Sequence, residues 1–315
     1  MRIVGILVSI LTAVALLVCP SCGQTPEPDK TSQPLPAHSR LTDEACKVKR
    51  QKFFADWLLS IRKKHSNPVI DNEIEKLLVD SAVFRARLLT NKERQNLLER
   101  SQRLLDQGCR DPLILSLHGG LLHRLERGKE AKPILTEAVS LLETGGYPDF
   151  MRYLTASTLH SVYQRFPPEE DIWPQLNEQV RSALLGAASD PIFSNGNQRL
   201  YYEIFHDYYW FKLKQPAEKD SLIEALNGIE SVDPWLRHLI NGEHHYALGW
   251  RARGKGWAQS IKKGGMDGFR EEMALARIEL VKAYVLHPEF PEAAARMIQV
   301  RMASVGPISE PRGCL

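Results

Sequence analysis

From about Leu41 onward, apolar residues recur every three to four positions, the period of an amphipathic helix. Phe54, Trp57, Leu58 and Ile61 share one face of a helix running through EACKVKRQKFFADWLLSIRKK. Strict alternation is nearly absent, and SNGN at 194–197 precedes a helical pattern, not a strand. Helix starts and stops are frequent. A second helix is predicted from Asp71 to Arg87. Thr90 and Glu93 form a capping box for the next, which stops at Gly108. Asp111 followed by Pro112 is an N-cap with Pro at the first helical position, for a helix to about Glu126. Others are predicted at 129–142, 151–166, 169–189, 197–214 and 217–229. Asp233-Pro234 opens a long helix through Arg253, and two more are predicted at 267–286 and 291–303. About eleven helices with mostly short links predict an all-α chain of antiparallel neighbours.

The first forty residues differ. Met1 and Arg2 precede an uncharged apolar run, Ile3 to Val18, and then CPSCGQ. This pattern predicts an export signal over 1–21, with a retained membrane anchor as the alternative. Residues 22–40 are rich in Pro, Ser and Thr and predict a flexible tether. An apolar signal, a cysteine and a polar tether resemble a bacterial lipoprotein. Ser21 and Gly23 flank Cys22 as that pattern prefers, while Cys19 stands where Leu is usual. The resemblance implies cleavage before Cys22 and lipid attachment to it. Simple secretion, with cleavage near Gly23, is the alternative. Either places the body outside the cytoplasm, in a bacterial envelope through a lipid anchor, or secreted or periplasmic.

Helix pairs prompt a search for repeats. Near the C-terminus, Ala276, Leu280, Ala283 and Pro288 give the spacing A-x3-L-x2-A-x4-P. Two small residues let helices approach, Leu280 fills the seam and Pro288 ends the helix. Ala131, Leu135 and Ala138 repeat the spacing, preceded by Gly119 between Leu115 and Leu122. Both stretches resemble tetratricopeptide (TPR) repeats. That resemblance implies an irregular TPR-like α-α superhelix over 41–305; residues 306–315 are separately expected to form a disordered tail. Residues 242–305, with HHYALGWRARGKGW and HPEFPEAA, also resemble a bacterial domain family without an assigned activity, which implies a helical fold and no chemistry.

Composition changes this picture little. With 315 residues, 25% charged and a net charge of +3, the chain is near neutrality, which argues against a dedicated nucleic-acid binder, since such a protein would show a concentrated basic face. Five cysteines are too dispersed for a zinc site or a dense disulfide framework; one bond among Cys46, Cys109 and Cys314 stays open. No nucleophile elbow, zinc-protease, phosphate-loop or EF-hand motif is present, so no catalytic residue, metal or cofactor is predicted.

Two segments carry candidate chemistry. In GEHHYALGWRARGKGW, 242–257, and the turns before it, Trp235, Leu239, Tyr246 and Trp250 form an apolar stripe at helical spacing. Arg251 and Arg253 sit at the helix end, and with Trp250 and Trp257 are candidates to receive an acidic or C-terminal peptide. His238, His244 and His245 lack a ligand partner at i,i+4, which disfavours metal binding. In YYEIFHDYYWF, 201–211, one face comprises Tyr201, Ile204, Phe205, Tyr208 and Phe211. Tyr202, Tyr209 and Trp210 lie off it, and Tyr202 and Tyr209 join the candidate binding residues. The expected role is a non-catalytic envelope protein binding a protein or peptide. The alternative is an enzyme or small-ligand binder with a pocket between 201–211 and 242–257.

Overall fold

The computed structural model describes residues 43–83, 89–167, 172–193, 197–254, 261 and 264–304. Cys22, Trp257 and the predicted signal, tether and tail lie outside these residues. Among the described residues the fold is all-α, with twelve α-helices and no strand. They are α1 (Asp43–Ile61), α2 (Pro68–Ser81), α3 (Asn91–Asp106), α4 (Pro112–Arg124), α5 (Gly128–Thr144) and α6 (Asp149–Arg165). Then come α7 (Trp173–Ala187), α8 (Gln198–Asp207), α9 (Pro216–Asn227), α10 (Pro234–Arg253), α11 (Gly265–Leu286) and α12 (Pro291–Ser304). The packed unit that holds them begins at Glu44.

Caps fix most boundaries. The Thr90 hydroxyl accepts from the Glu93 N–H at 3.3 Å, and the Glu93 carboxylate accepts from the Thr90 N–H at 2.7 Å. Asp111 and Asp233 each accept the N–H groups of the two residues after the proline. The second helix starts at Pro68, three residues before the predicted Asp71. The Asn67 side chain accepts from Val69 N–H, and Pro68 suits the first helical position. Asp71 is engaged instead by the Arg62 guanidinium at 2.6 Å and by the His65 N–H.

From α2 to α7 and from α9 to α12 successive helices pack against one another, and alternate helices also touch: α2 on α4, α4 on α6, α8 on α10, α10 on α12, and α7 on α9. This connectivity is compatible with a two-layered stack of helix pairs. The first layer is α2, α4, α6, α8, α10 and α12; the second is α3, α5, α7, α9 and α11. α1 lies against the first layer, its Trp57 ring 5.1 Å from that of Phe150.

The Ala-Leu-Ala spacings form the seams of two pairs. Ala131, Leu135 and Ala138 on α5, and Ala276, Leu280 and Ala283 on α11, are fully buried. A Cβ at Gly119 would stand 2.5 Å from Leu135 Cγ, and one at Gly242 would stand 2.6 Å from Leu280 Cγ. Each leucine therefore occupies the space that a side chain on the facing helix would need. Cys109 is buried with a free thiol.

The aromatic segment departs from its predicted face. After α8 the chain widens into a π turn, Tyr208–Lys212, closed by Leu213 N–H donating to Tyr208 O at 3.1 Å. The extra residue in this turn rotates the side chains beyond it relative to a regular α-helix. Phe211, predicted on the core face, is 59% exposed, while Tyr209 is buried.

Candidate functional site

The π turn brings Tyr209 and Trp210 toward the C-terminal half of α10. Between them and the start of α9 lies an open groove of about 470 Å³. Its aromatic lining is Tyr209, Trp210, Tyr246 and Trp250; its charged lining is Lys214, Lys219, Arg251 and Asp220. Trp250 is 40% exposed, so its face is available to an occupant. Its other neighbours fix its plane: Tyr246 and Phe269 meet it edge-on, and the Arg253 guanidinium sits 5.4 Å from its ring centre. Lys219 Nζ lies 4.7 Å from the Tyr209 ring and 4.9 Å from that of Trp210. Partial burial, then the nearby Lys214 charge, hold the Lys219 ammonium below its usual pKa.

A polar chain backs the groove. The Tyr209 hydroxyl is hydrogen-bonded to His244 Nδ1 at 2.9 Å, and His244 Nε2 lies 3.6 Å from Asp220. Asp220 in turn accepts from Arg251 Nη1 at 3.0 Å. Burial is the main cause that pushes the His244 pKa down to about 4, so the ring is neutral near pH 7. Burial first, then Asp220, pushes the Tyr209 phenol up, so it stays protonated. A neutral imidazole and a protonated phenol offer hydrogen bonds at neutral pH, with no ready proton acceptor of ordinary imidazole strength.

Behind the groove, Glu243 is buried and multiply bonded. It accepts from the Tyr202 hydroxyl at 2.7 Å, from Trp210 Nε1 at 3.3 Å and from Arg296 Nε at 2.9 Å; Arg296 Nη2 donates to it as well. The same guanidinium lies over the Trp210 and Tyr246 rings. One ion pair thus joins α10 to α12 and holds two of the groove's aromatics in place. A carboxylate buried without such partners would be costly; here each oxygen has a donor.

The structure brings Tyr209, Trp250 and Arg251 together in the groove and sets Arg253 on Trp250. Tyr202, proposed from sequence as a binding residue, is buried instead and does not line the groove; its hydroxyl is committed to Glu243. Trp257 lies outside the described residues. Lys214, Lys219, Asp220 and Tyr246 also line the groove and carry no binding signal in the sequence, because no spacing along the chain links the start of α9 to the end of α10. The surplus of aromatics at 208–210 was the one available signal.

The three histidines of α10 find partners across helices. His238 pairs with Glu279 at 2.7 Å and His245 with Glu272 at 2.8 Å, both tying α10 to α11. His244 faces Tyr209 and Asp220 in the polar chain behind the groove. Among the described residues no group of three His, Cys, Asp or Glu side chains could hold a metal ion, and no helix is long and apolar enough to cross a membrane. Comparison with protein-family models, with curated proteins and with solved structures gave no match.

Proposed function

We propose that the protein binds a partner protein or peptide through the groove between the π turn and the end of α10. An apolar or aromatic side chain would rest on Trp250 and Tyr246, and an acidic group would face Lys214, Lys219 and Arg251. One observation carries this reading: aromatic faces and three cations share an open groove whose single carboxylate, Asp220, is already paired. Trp, Tyr and Arg are the residue types that dominate binding energy at interfaces. The resemblance of the two Ala-Leu-Ala seams to TPR helix pairs supports a scaffold that presents surfaces to partners. A small ligand is the second reading, because the volume falls within the roughly 300–1,000 Å³ of small-molecule sites.

The test compares capture of envelope proteins by the wild type, Trp250→Ala and Lys219→Glu. A partner held by the wild type and reduced at least tenfold by both variants is the expected result. Equal recovery by all three proteins would remove this groove from the binding role.

The proposed location is the bacterial envelope, with Cys22 as the lipid-bearing residue. The apolar run at 3–18 and the Pro-rich stretch after Cys22 support it. Fatty-acid labelling should be present in the wild type and lost in Cys22→Ser. Equal labelling of the two would exclude Cys22 as the anchor.

A further inference from the structure

At the C-terminal end of the stack, α12 is a first-layer helix with no second-layer companion among the described residues. In the pairs α4/α5, α6/α7 and α10/α11 a second-layer helix packs closely on its first-layer partner. Beside α12 there is instead a groove of about 930 Å³ between it and α11. Its apolar lining is Phe269, Met273, Ile278, Val281, Met297 and Val300. Phe269, Met273 and Val300 are buried at its floor, whereas Ile278 and Val281 are 51% and 42% exposed. Val285 on α11 and Ile298 and Met302 on α12 are exposed as well. An apolar groove of this kind on the last described helix pair resembles the face that a further element covers.

Charge narrows what that element is. The groove is also lined by Arg270, Arg277, Lys282 and Arg301 and, among the described residues, by no carboxylate. Arg270 and Lys282 are paired, with Asp267 and Glu279. Arg277 and Arg301 have no ion-pair partner among the described residues. A second copy docked face to face would set Arg277 and Arg301 against the same two cations.

We propose that this groove receives an acidic amphipathic helix of a partner protein, which packs on α12 as the missing second-layer helix. Its apolar stripe meets Ile278, Val281 and Met297; its carboxylates meet Arg277 and Arg301. The site shares no lining residue with the Trp250 groove and does not rest on the role proposed for that groove.

The experiment titrates the full chain with a fluorescein-labelled peptide of about four helical turns, Leu at three-to-four spacing and Glu elsewhere. A counterpart has Lys for each Glu. Binding is read by fluorescence anisotropy. The acidic peptide should bind at least tenfold more tightly than the basic one. Val281→Glu, an exposed position checked for intact helicity by circular dichroism, should weaken it at least tenfold. The double variant Arg277→Glu/Arg301→Glu should reverse the preference toward the Lys peptide. No binding, or equal affinity for both peptides, overturns the proposal. So does a wild-type dimer in sedimentation that Val281→Glu dissociates, which would make a second copy the occupant. Tighter binding after truncation at Ser304 would assign the groove to the chain's own tail and overturns it too.

Discussion

Gly119 and Gly120 are neighbours on α4 with opposite surroundings. A Cβ at Gly119 would collide with Leu135, which is fully buried and has nowhere to move; a Cβ at Gly120 would meet nothing within 4 Å. Alanine at Gly120 therefore gains only the backbone preference for helix, and should stabilise the protein by roughly 0.5–1 kcal/mol. Alanine at Gly119 gains the same term but overpacks the seam, and should come out destabilised by roughly 1–3 kcal/mol. Urea denaturation of both variants reads the sign directly. Two shifts of the same sign would mean that the α4/α5 seam is looser than these contacts require. This contrast was half legible in the sequence. The spacing of Ala131, Leu135 and Ala138 and the small residue at Gly119 mark the seam, because close approach demands small residues at fixed helical intervals. Nothing in the spacing indicates what Gly120 faces.

At the scale of helices, the ties that the sequence hides are the ones that join distant segments. Glu243 and Arg296 are 53 residues apart, and each looks like an ordinary helix-surface charge when read at i,i+4. Packing turns them into a buried pair between α10 and α12, with Tyr202 and Trp210 completing the carboxylate's bonds. Arg296→Met keeps much of the apolar stem but leaves the carboxylate buried without its cation, at a cost of roughly 3–5 kcal/mol. Adding Glu243→Gln removes the unpaired charge and should recover a substantial part of that loss. A single variant within about 1 kcal/mol of wild type, well below the cost expected for an uncompensated buried charge, would show that solvent reaches Glu243 freely. The π turn was hidden for a similar reason. The aromatic period of 201–211 reads as one regular helix, and its extra residue is decided by which rings fit between α8, α9 and α10. Helix starts were legible where a side chain does the capping locally, as at Thr90, Asp111 and Asp233. They failed at Pro68, where Asn67 caps and the more conspicuous Asp71 binds Arg62.

The connectivity of the whole molecule bears on how it opens. In a stack of helix pairs each pair touches mainly its neighbours, so opening at one end need not propagate to the other. α10 and α11 are drawn together at Gly242 and Gly249, and Phe269, Met273, Ala276, Leu280 and Ala283 are all buried between them and their neighbours. α12 buries few large residues and keeps Ile298 and Met302 exposed. Amide hydrogen exchange should therefore be fastest in α12 among the helices of the C-terminal third, and slowest in α10 and α11. Arg296→Met provides the sharper version, because it cuts the buried ion pair to Glu243, one of two among the described residues that tie α12 to the stack, the other being Arg199 with Glu292. Exchange should accelerate in α12 and, less strongly, around Glu243 and Trp210. α4 and α5, whose seam is built from Gly119, Leu135 and their own neighbours, should exchange as in the wild type under conditions where local opening dominates. Equal acceleration in α4–α5 and α12 would mean that the helices open as one cooperative bundle. The repeat-like connectivity would then describe where the helices lie without describing how they are coupled.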